Sequence, residues 1–360
     1  MLPERIQAHL VLTLAGAAAL AGCDSPDVPT PRGSSGGAAA QGGSGGDGGA
    51  GGLGGSGGQG YTGGAPSWSW TTAADVPEPR QSAGCVALPD SLYVFGGMTL
   101  SAGSGGTTDS VVRYDAGADV WSPRAPMPDP NCCFAIARLG DKVYVAGGYE
   151  ADTQPSARFL AYDPASDSWS TKPDLPTARA LAAAVVWGGK LAVIGGRGAN
   201  NDVVGIIELY DPASETWETS PIQEATPREA AAIVFGGFGL VVAGGYPSMS
   251  AYGTDQVEIF AGGAWNDGPP MLLPRGQIAW GMLAGRLVLA GGWGPAAHTD
   301  FVDAWLPGSA AWDEVPPLSV ARAGACGATL GDALYVVGGG VYEGAGVWQS
   351  VDAVDVLRAH

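Results

Sequence analysis

The stretch 179–217, RALAAAVVWGGKLAVIGGRGANNDVVGIIELYDPASETW, is one complete copy of the unit from which most of the chain is built. Two short apolar runs flank a Gly-Gly turn, and the second run ends in another glycine pair, Gly195-Gly196. A polar loop leads to a third apolar run that ends in Tyr-Asp-Pro, and a Trp follows. These runs are short and bounded by turn residues, so we expect each to form a β-strand.

The glycine pair and the Trp both recur with a period near 50 residues. Successive glycine pairs are 51, 48, 49, 47 and 47 residues apart, and successive tryptophans are 51, 48, 48, 48 and 47 residues apart. The pairs begin at Gly96, Gly147, Gly195, Gly244, Gly291 and Gly338, and the tryptophans are Trp70, Trp121, Trp169, Trp217, Trp265 and Trp312. Two residue types that keep one period over the same span indicate six copies of one structural unit.

The glycine pair after the second strand, the Tyr-Asp before a loop and the late Trp resemble the kelch motif. The resemblance covers 67–360 and implies an all-β fold, a six-bladed kelch-type β-propeller with four short strands in each blade. The last repeat ends without a Trp, whereas Trp70 precedes the first glycine pair and has no blade of its own. We therefore expect the N-terminal strand around Trp70 to complete the sixth blade and close the ring.

Residues 1–22 have the features of a targeting segment. The apolar stretch 10–21 is too short to cross a bilayer as a helix and is typical of a signal-peptide core. It ends in Leu20-Ala21-Gly22-Cys23, which resembles a bacterial lipobox, and this resemblance implies cleavage before Cys23 and lipidation of that residue. The alternative is an ordinary secretory signal that happens to end beside a Cys. Lipidation would place the protein in the cell envelope, at the outer membrane or cell surface or on the periplasmic face of a membrane.

Residues 23–66 combine the lipidated Cys with a tether composed mostly of Gly, Ser, Ala and Gln. Such a composition cannot bury apolar surface, so we expect the tether to be disordered. A Gly-rich coil of about 40 residues reaches roughly 35 Å. The formal net charge of the chain is −18, which argues against nucleic acid as a partner and gives no attraction to anionic lipid. Membrane contact would therefore come from the N-terminal acyl chains.

Two sets of residues are candidates for ligand binding. In a four-stranded blade the 4–1 and 2–3 loops share one face, and an Arg recurs near the end of most 4–1 loops while the residue after each glycine pair varies. The candidates are Arg80, Arg179, Arg228, Arg275, Arg322, Tyr149, Tyr246 and Trp293. A ring of guanidinium groups with interleaved aromatics would bind carboxylates or acidic sugars. The alternative is structural, with each arginine bonded to loop carbonyls or to acids between blades.

Four cysteines follow Cys23, and export makes disulfides accessible to them. Cys132 and Cys133 are candidates for a vicinal disulfide, or one of them bonds Cys85 on the adjacent inner strand. Cys326 lies in the other neighbour of the first blade, across the ring closure. Buried free thiols near a crowded axis are the remaining alternative. The spacing matches no metal site, so we expect none.

Sequence signatures of catalysis are scarce. The histidines that follow the leader are His298 and His360, and no phosphate loop or His-Glu-x-x-His occurs. We assign no catalytic residue and no cofactor, and expect a lipid-anchored binding module that contacts a protein or glycan on the 4–1/2–3 face. The alternative is a carbohydrate-active envelope enzyme resembling the periplasmic kelch mutarotases that act on sialic acid. It would use arginines facing a funnel, with His298, Glu150 or Glu343 as acid/base groups.

Overall fold

The computed structural model describes residues 66–360 apart from 102–103, 151–153, 249–251 and 345–346. The leader 1–22, Cys23 and nearly all of the tether predicted for 23–66 lie outside the described residues. Every regular element in the described part is a β-strand, and this part contains no helix long and apolar enough to cross a membrane.

The strands follow one another with short connections along the whole described chain. In chain order they are β1 (Trp68–Thr72), β2 (Gly84–Leu88), β3 (Ser91–Phe95), β4 (Met98–Ser101), β5 (Ser104–Thr107), β6 (Val111–Asp115), β7 (Val120–Arg124), β8 (Ala135–Leu139), β9 (Lys142–Ala146), β10 (Phe159–Asp163), β11 (Ser168–Lys172), β12 (Ala183–Trp187), β13 (Lys190–Ile194), β14 (Glu208–Asp211), β15 (Thr216–Thr219), β16 (Ala232–Gly236), β17 (Gly239–Ala243), β18 (Val257–Ala261), β19 (Ala264–Asp267), β20 (Ala279–Leu283), β21 (Arg286–Ala290), β22 (Val302–Trp305), β23 (Asp313–Val315), β24 (Cys326–Leu330), β25 (Ala333–Val337), β26 (Gly340–Gly344), β27 (Val347–Ser350) and β28 (Val354–Ala359).

Six antiparallel sheets of four strands form the blades of a propeller. Blade 1 consists of β2, β3, β6 and β7, and blades 2 to 5 take β8–β11, β12–β15, β16–β19 and β20–β23 in turn. Blade 6 consists of β24, β25, β28 and β1, and the hairpins β4–β5 and β26–β27 extend the 2–3 loops of blades 1 and 6. The prediction of a six-bladed, all-β propeller is confirmed.

The N-terminal strand closes the ring as predicted. β1 pairs antiparallel with β28, and Trp70 lies opposite Leu357. Blade 6 therefore combines one strand from the start of the described chain with three from its end. This arrangement removes the open seam that would leave unpaired strand edges in the ring.

Small residues allow the inner strands to crowd around the axis. A Cβ atom on Gly84 would lie 2.6 Å from the Phe134 ring, and one on Gly327 would lie 2.5 Å from the Trp280 carbonyl oxygen. The second strand of each blade is packed between its neighbours, and all five residues of β3, β21 and β25 are buried. This double-sided burial explains why the second strands are continuous apolar runs.

The late Trp of each repeat joins its blade to the preceding blade. Trp121 of blade 1 donates its indole N–H to the carbonyl of Ala74, which follows β1 of blade 6, at 2.8 Å. The equivalent bonds run from Trp169 to Ala125, Trp217 to Pro173, Trp265 to Gln223, Trp312 to Pro269 and Trp70 to Pro316. An indole N–H that packs against protein needs an acceptor, so the Trp period has a structural cause.

A closed ring of six main-chain hydrogen bonds surrounds the axis. In each blade the residue two positions before the inner strand has a φ between 52° and 64°, and its N–H donates to the equivalent carbonyl of the preceding blade. We call these six residues and their hydrogen bonds the axial ring. The members are Ser82, Cys133, Leu181, Ala230, Gln277 and Gly324, with donor–acceptor distances of 2.6 to 3.0 Å. Five of the six are not glycine, so the bonds hold a backbone conformation that costs about 1 kcal/mol or more per residue.

The disulfide pairing differs from the vicinal pair considered from the sequence. Cys85 is bonded to Cys326, which joins the inner strands of blades 1 and 6 across 241 residues of sequence. Cys132 and Cys133 are buried free thiols whose Sγ atoms lie 3.3 Å apart. The main chain of Cys133 is held in the axial ring and that of Cys132 pairs with Tyr149, so their backbone has the geometry of the ring rather than of a vicinal disulfide.

Candidate functional site

The five loop arginines, Arg80, Arg179, Arg228, Arg275 and Arg322, lie on the 4–1/2–3 side of the propeller, and their side chains point inward. Arg179 donates to the carbonyls of Gly195 at 3.1 Å and Ile206 at 2.7 Å, both in the 2–3 loop of its own blade. It also donates to the carboxylate of Glu208, the first residue of the third strand, at 2.8 Å. The guanidinium therefore connects the 4–1 loop, the 2–3 loop and the third strand of one blade.

The other arginines repeat this arrangement. The glycine-pair carbonyls of Gly96, Gly244 and Gly291 accept from Arg80, Arg228 and Arg275, while Arg322 reaches the Val336 carbonyl. The acids they pair with are Glu78, Glu258, Asp303 and Asp355. In blade 2, Asn131 replaces the arginine and donates to the Gly147 carbonyl at 2.9 Å.

The arginines are therefore not available to a ligand in this structure. Each of the five has an exposed fraction of 0 or 1%. Burial lowers the pKa of Arg80, Arg179 and Arg322, and it raises the pKa of the Asp303 carboxyl that pairs with Arg275. The expectation of an open ring of guanidinium groups is wrong because each of the five meets main-chain carbonyls and also pairs with a carboxylate.

The aromatic candidates belong to a cluster at the same end of the axis, which we call the axial cap. It contains Met98, Leu100, Cys132, Cys133, Tyr149, Ala180, Trp293, Ala323 and Trp348, with Leu181, Tyr246 and Tyr342 packed against it. All six blades contribute to this one cluster, so it covers the axis. Tyr149 and Trp293 are 9% and 4% exposed, which leaves Tyr246 as the candidate with a half-buried ring.

Trp348 fills the space left by the glycine that follows the sixth glycine pair. Its ring centroid lies 5.2 Å from that of Trp293 and 5.3 Å from that of Tyr342. The Tyr246 hydroxyl donates to the Trp293 carbonyl at 3.3 Å. Trp348 was not a sequence candidate, because it lies in a 2–3 loop hairpin that the repeat does not predict.

A buried ion pair also contributes to this end of the axis. Arg197, which follows the third glycine pair, donates twice to the carboxylate of Glu229 in the next blade, and both residues are at most 2% exposed. Burial raises the pKa of Glu229, and the Arg197 guanidinium opposes that effect. The pair couples blades 3 and 4.

Glu224 is a second residue that the sequence analysis missed. In each 4–1 loop, the residue four positions before the arginine or asparagine is buried. In five of the six loops this residue is apolar: Val76, Met127, Leu175, Met271 and Leu318. Blade 4 has Glu224 there, 7% exposed, and neither carboxylate oxygen has a hydrogen bond of normal geometry. Burial raises its pKa to about 8, and the nearby Arg228 offsets only part of this effect. Aligning the repeats at the arginine would have revealed it.

Two hairpins make the 4–1/2–3 face asymmetric. β4–β5 and β26–β27 lie side by side, and together we call them the hairpin wall. The Ser350 hydroxyl donates to the Met98 carbonyl and accepts from the Leu100 N–H, each at 3.0 Å. Among the described residues, hairpins of this kind occur in the 2–3 loops of blades 1 and 6, so the wall lies on one side of this face.

The exposed charge on this face is acidic. Six of the seven arginines in its described loops are buried, and Arg158, which pairs with Asp129, is the exception. The carboxylates that remain exposed or half-exposed are Asp75, Glu78, Asp109, Asp129, Glu150, Asp174, Asp202, Asp255, Asp300, Glu343 and Asp352. The surface potential here is therefore opposite in sign to the one expected from the sequence.

The candidate acid/base groups lie in different blades. His298 of blade 5 is half-buried with its ring 6.2 Å from Trp293, and burial lowers its pKa. Glu150 of blade 2 accepts from the Ser156 hydroxyl at 2.9 Å, and Glu343 is exposed on the hairpin wall. No group of three or more His, Cys, Asp or Glu side chains positioned to hold a metal is found in the described part of the chain.

Comparison with known proteins identifies the repeats. Residues 79–128, 130–176 and 178–221 match the Kelch motif. The chain is 38% identical to Kelch-like protein 35 of Mus musculus over 81 residues, and 48% identical to Kelch-like protein 4 of Homo sapiens over 46 residues. It is 35% identical to Beta-scruin of Limulus polyphemus over 79 residues.

These similarities cover 22%, 13% and 22% of this chain and 13%, 6% and 8% of the respective relatives. The chain thus spans a small part of the length of the curated relatives it matches. Among solved structures, YjhT superposes with a TM-score of 0.67 over 79% of this chain and 97% of its own, at 18% sequence identity. That likeness concerns the fold alone. The sheet order and the ring closure show that the described chain is a six-bladed β-propeller, and three stretches of it match the Kelch motif.

Proposed function

We propose that the protein is an interaction module, held at the bacterial cell envelope by a lipidated Cys23, which binds a partner protein on the 4–1/2–3 face. The observation that carries the proposal is the shape and charge of this face. It is closed over the axis by the axial cap, raised on one side by the hairpin wall and surrounded by exposed carboxylates.

The charge of the 4–1/2–3 face indicates the charge of the partner surface that it would bind. The arginines expected to bind acidic sugars are buried, whereas the carboxylates around the face are not. Charge complementarity between two surfaces raises the association rate and excludes partners of like charge. We therefore expect a protein partner with a basic surface, bound less tightly as the salt concentration rises.

Site-specific photo-crosslinking in cells tests the docking face. A photoreactive amino acid replaces Ser101 or Glu343 on the hairpin wall, and Ser166 on the opposite face serves as the matched exposed control. We expect a protein adduct from the two wall positions that weakens in high salt, and none from Ser166. Adducts from Ser166 alone, or none from the wall in cells where the protein is anchored, would contradict the docking face.

The anchor is tested separately. Incorporation of labelled fatty acid into the wild-type chain, lost in Cys23→Ser together with membrane association, is the expected result. A Cys23→Ser chain that stays in the membrane fraction would show that lipidation is not what holds the protein there. The long Gly-rich segment 33–64 supports this proposal because it would let the propeller turn freely toward a partner.

The alternative, a carbohydrate-active enzyme, requires arginines that face an open funnel. These arginines are buried, so such an enzyme would depend on His298, Glu150 or Glu343 alone. Anomer exchange measured by NMR with a sialic acid substrate tests it: exchange that is lost in His298→Ala would support the enzyme over the binding module.

A further inference from the structure

The opposite end of the axis contains a cavity that the proposed function does not use. It has a volume of about 380 Å³, is bounded by the inner strands of blades 1, 2, 3, 5 and 6 together with Ala231 at the start of blade 4, and we call it the axial cavity. A smaller cavity of about 120 Å³ shares lining residues with it and extends to the axial ring. The larger volume lies within the range of sites that bind small molecules.

The axial cavity has one closed end and one open end. The axial ring and the axial cap close it toward the 4–1/2–3 face. At the other end its lining reaches Ala87, Arg138 and Thr329, which stand beside the 1–2 hairpins. A ligand would therefore enter from the 1–2/3–4 face, away from the hairpin wall.

The side chains that line the cavity are apolar with two exceptions. Most are Ala or Gly, and the larger ones include Phe134, Ile136, Ile278 and Trp280. The Thr329 hydroxyl donates a hydrogen bond to the Met282 carbonyl at 2.8 Å. Arg138 is the one charged residue in the lining.

Arg138 differs from the buried arginines of the other end because it has no acidic partner. Its Nε–H donates to the Gly140 carbonyl at 2.9 Å, and no carboxylate in the described residues lies within ion-pair distance. Both terminal nitrogens of the guanidinium thus remain without a carboxylate. A planar guanidinium at the mouth of an apolar cavity is suited to a carboxylate, which it can bind through two parallel hydrogen bonds.

We propose that the axial cavity binds a small organic monocarboxylate, with the apolar body of the ligand inside the cavity and its carboxylate on Arg138. A single positive charge compensates a single negative charge. A doubly charged phosphate would bring a second negative charge to a lining that contains no second cation, which is costly. This ligand class is independent of the protein partner proposed for the other face.

Calorimetric titration of the full chain with octanoate tests the proposal, with octanol and octylamine as probes of the head group. We expect one octanoate per chain, at least tenfold weaker binding of octanol and no binding of octylamine. Arg138→Gln should weaken octanoate binding at least tenfold. The matched control is Arg124→Gln, an arginine of the outer strand β7 that forms no ion pair among the described residues and lies outside the cavity, and this variant should bind as the wild type does.

A second variant tests the position of the apolar body. Ala183→Leu places a larger side chain in the cavity wall, and it should abolish octanoate binding while the melting curve shows a folded protein. No octanoate binding by the wild type would overturn the proposal. Equal binding by Arg138→Gln and the wild type, or by Ala183→Leu and the wild type, would place the ligand elsewhere and would also overturn it.

Discussion

The two ends of the propeller axis use charged side chains in opposite ways. At the 4–1/2–3 end, Arg179, Arg228, Arg275 and Arg322 are buried and each is paired with an acid inside its blade. At the 1–2/3–4 end, Arg138 lines an open cavity and forms no ion pair with any described residue. The arginines repeated in blade after blade are buried and hold the fold together, whereas Arg138 lines a cavity. Repetition of a charged residue in a propeller therefore indicates a structural role first.

The largest expected effect comes from removing a buried arginine at the closed end. Arg275→Gln leaves the carboxylate of Asp303, which is 0% exposed, without its 2.5 Å partner. Breaking such a pair costs about 3–5 kcal/mol of unfolding free energy. The counterpart at the open end, Arg138→Gln, should change stability by less than about 0.5 kcal/mol. Urea denaturation measures both, and equal losses would contradict the distinction between the two ends.

Glu224 is the exception at the closed end, and removing its charge should stabilise the protein. Its folded pKa of about 8 lies above the ordinary value of 4.5, so the folded state binds the proton more tightly than the unfolded state. Stability should therefore fall as the pH rises from about 4.5 through about 8, by at most roughly 5 kcal/mol. Glu224→Leu should remove this fall.

Melting curves between pH 5 and pH 9 measure the effect. The gain in stability of Glu224→Leu should be small at pH 5 and largest at pH 9. The converse variant, Leu175→Glu, introduces the same carboxyl at the equivalent position of blade 3 and should create a pH-dependent loss. A Glu224→Leu gain that does not change with pH would show that the carboxyl does not titrate in this range.

The glycines of the two ends should differ as well, with a smaller effect. Gly196 has a φ of +97°, and a Cβ there would lie 2.6 Å from the Ala180 carbonyl oxygen. Gly188, in a 1–2 hairpin, has a φ of +60° with nothing within 4 Å of such an atom. We expect Gly196→Ala to cost about 3 kcal/mol and Gly188→Ala about 1 kcal/mol, measured by thermal unfolding. A reversed order would contradict the close packing inferred for the glycine pairs.

The sequence was sufficient to predict the architecture because each copy of the sequence repeat corresponds to one blade. The periods of the glycine pair and the Trp predicted six blades, and the missing final Trp predicted that β1 completes blade 6. Each of those residues has a local cause, such as the positive φ of the glycine pair or the indole N–H that bonds to the preceding blade.

The site was less predictable because burial depends on partners from distant parts of a blade. The arginines were correctly placed on the 4–1/2–3 side, but their partners stand about 30 residues later in the third strand, as Glu208 does for Arg179. An acid inside an apolar strand was the signal that could have revealed the pairing. The Cys85–Cys326 bond and the axial cavity arise only when the ring is closed, so no local pattern indicates them.

The most direct test of the difference between the two ends is the reactivity of the arginines. The folded full chain is treated with phenylglyoxal, an arginine-specific reagent, and each site is quantified by mass spectrometry against the urea-unfolded chain. The structure predicts that Arg138 and Arg158 react in the folded protein, whereas Arg179, Arg228, Arg275 and Arg322 react only after unfolding. Rapid modification of the latter four in the folded chain would show that they line an open surface, which would contradict the account.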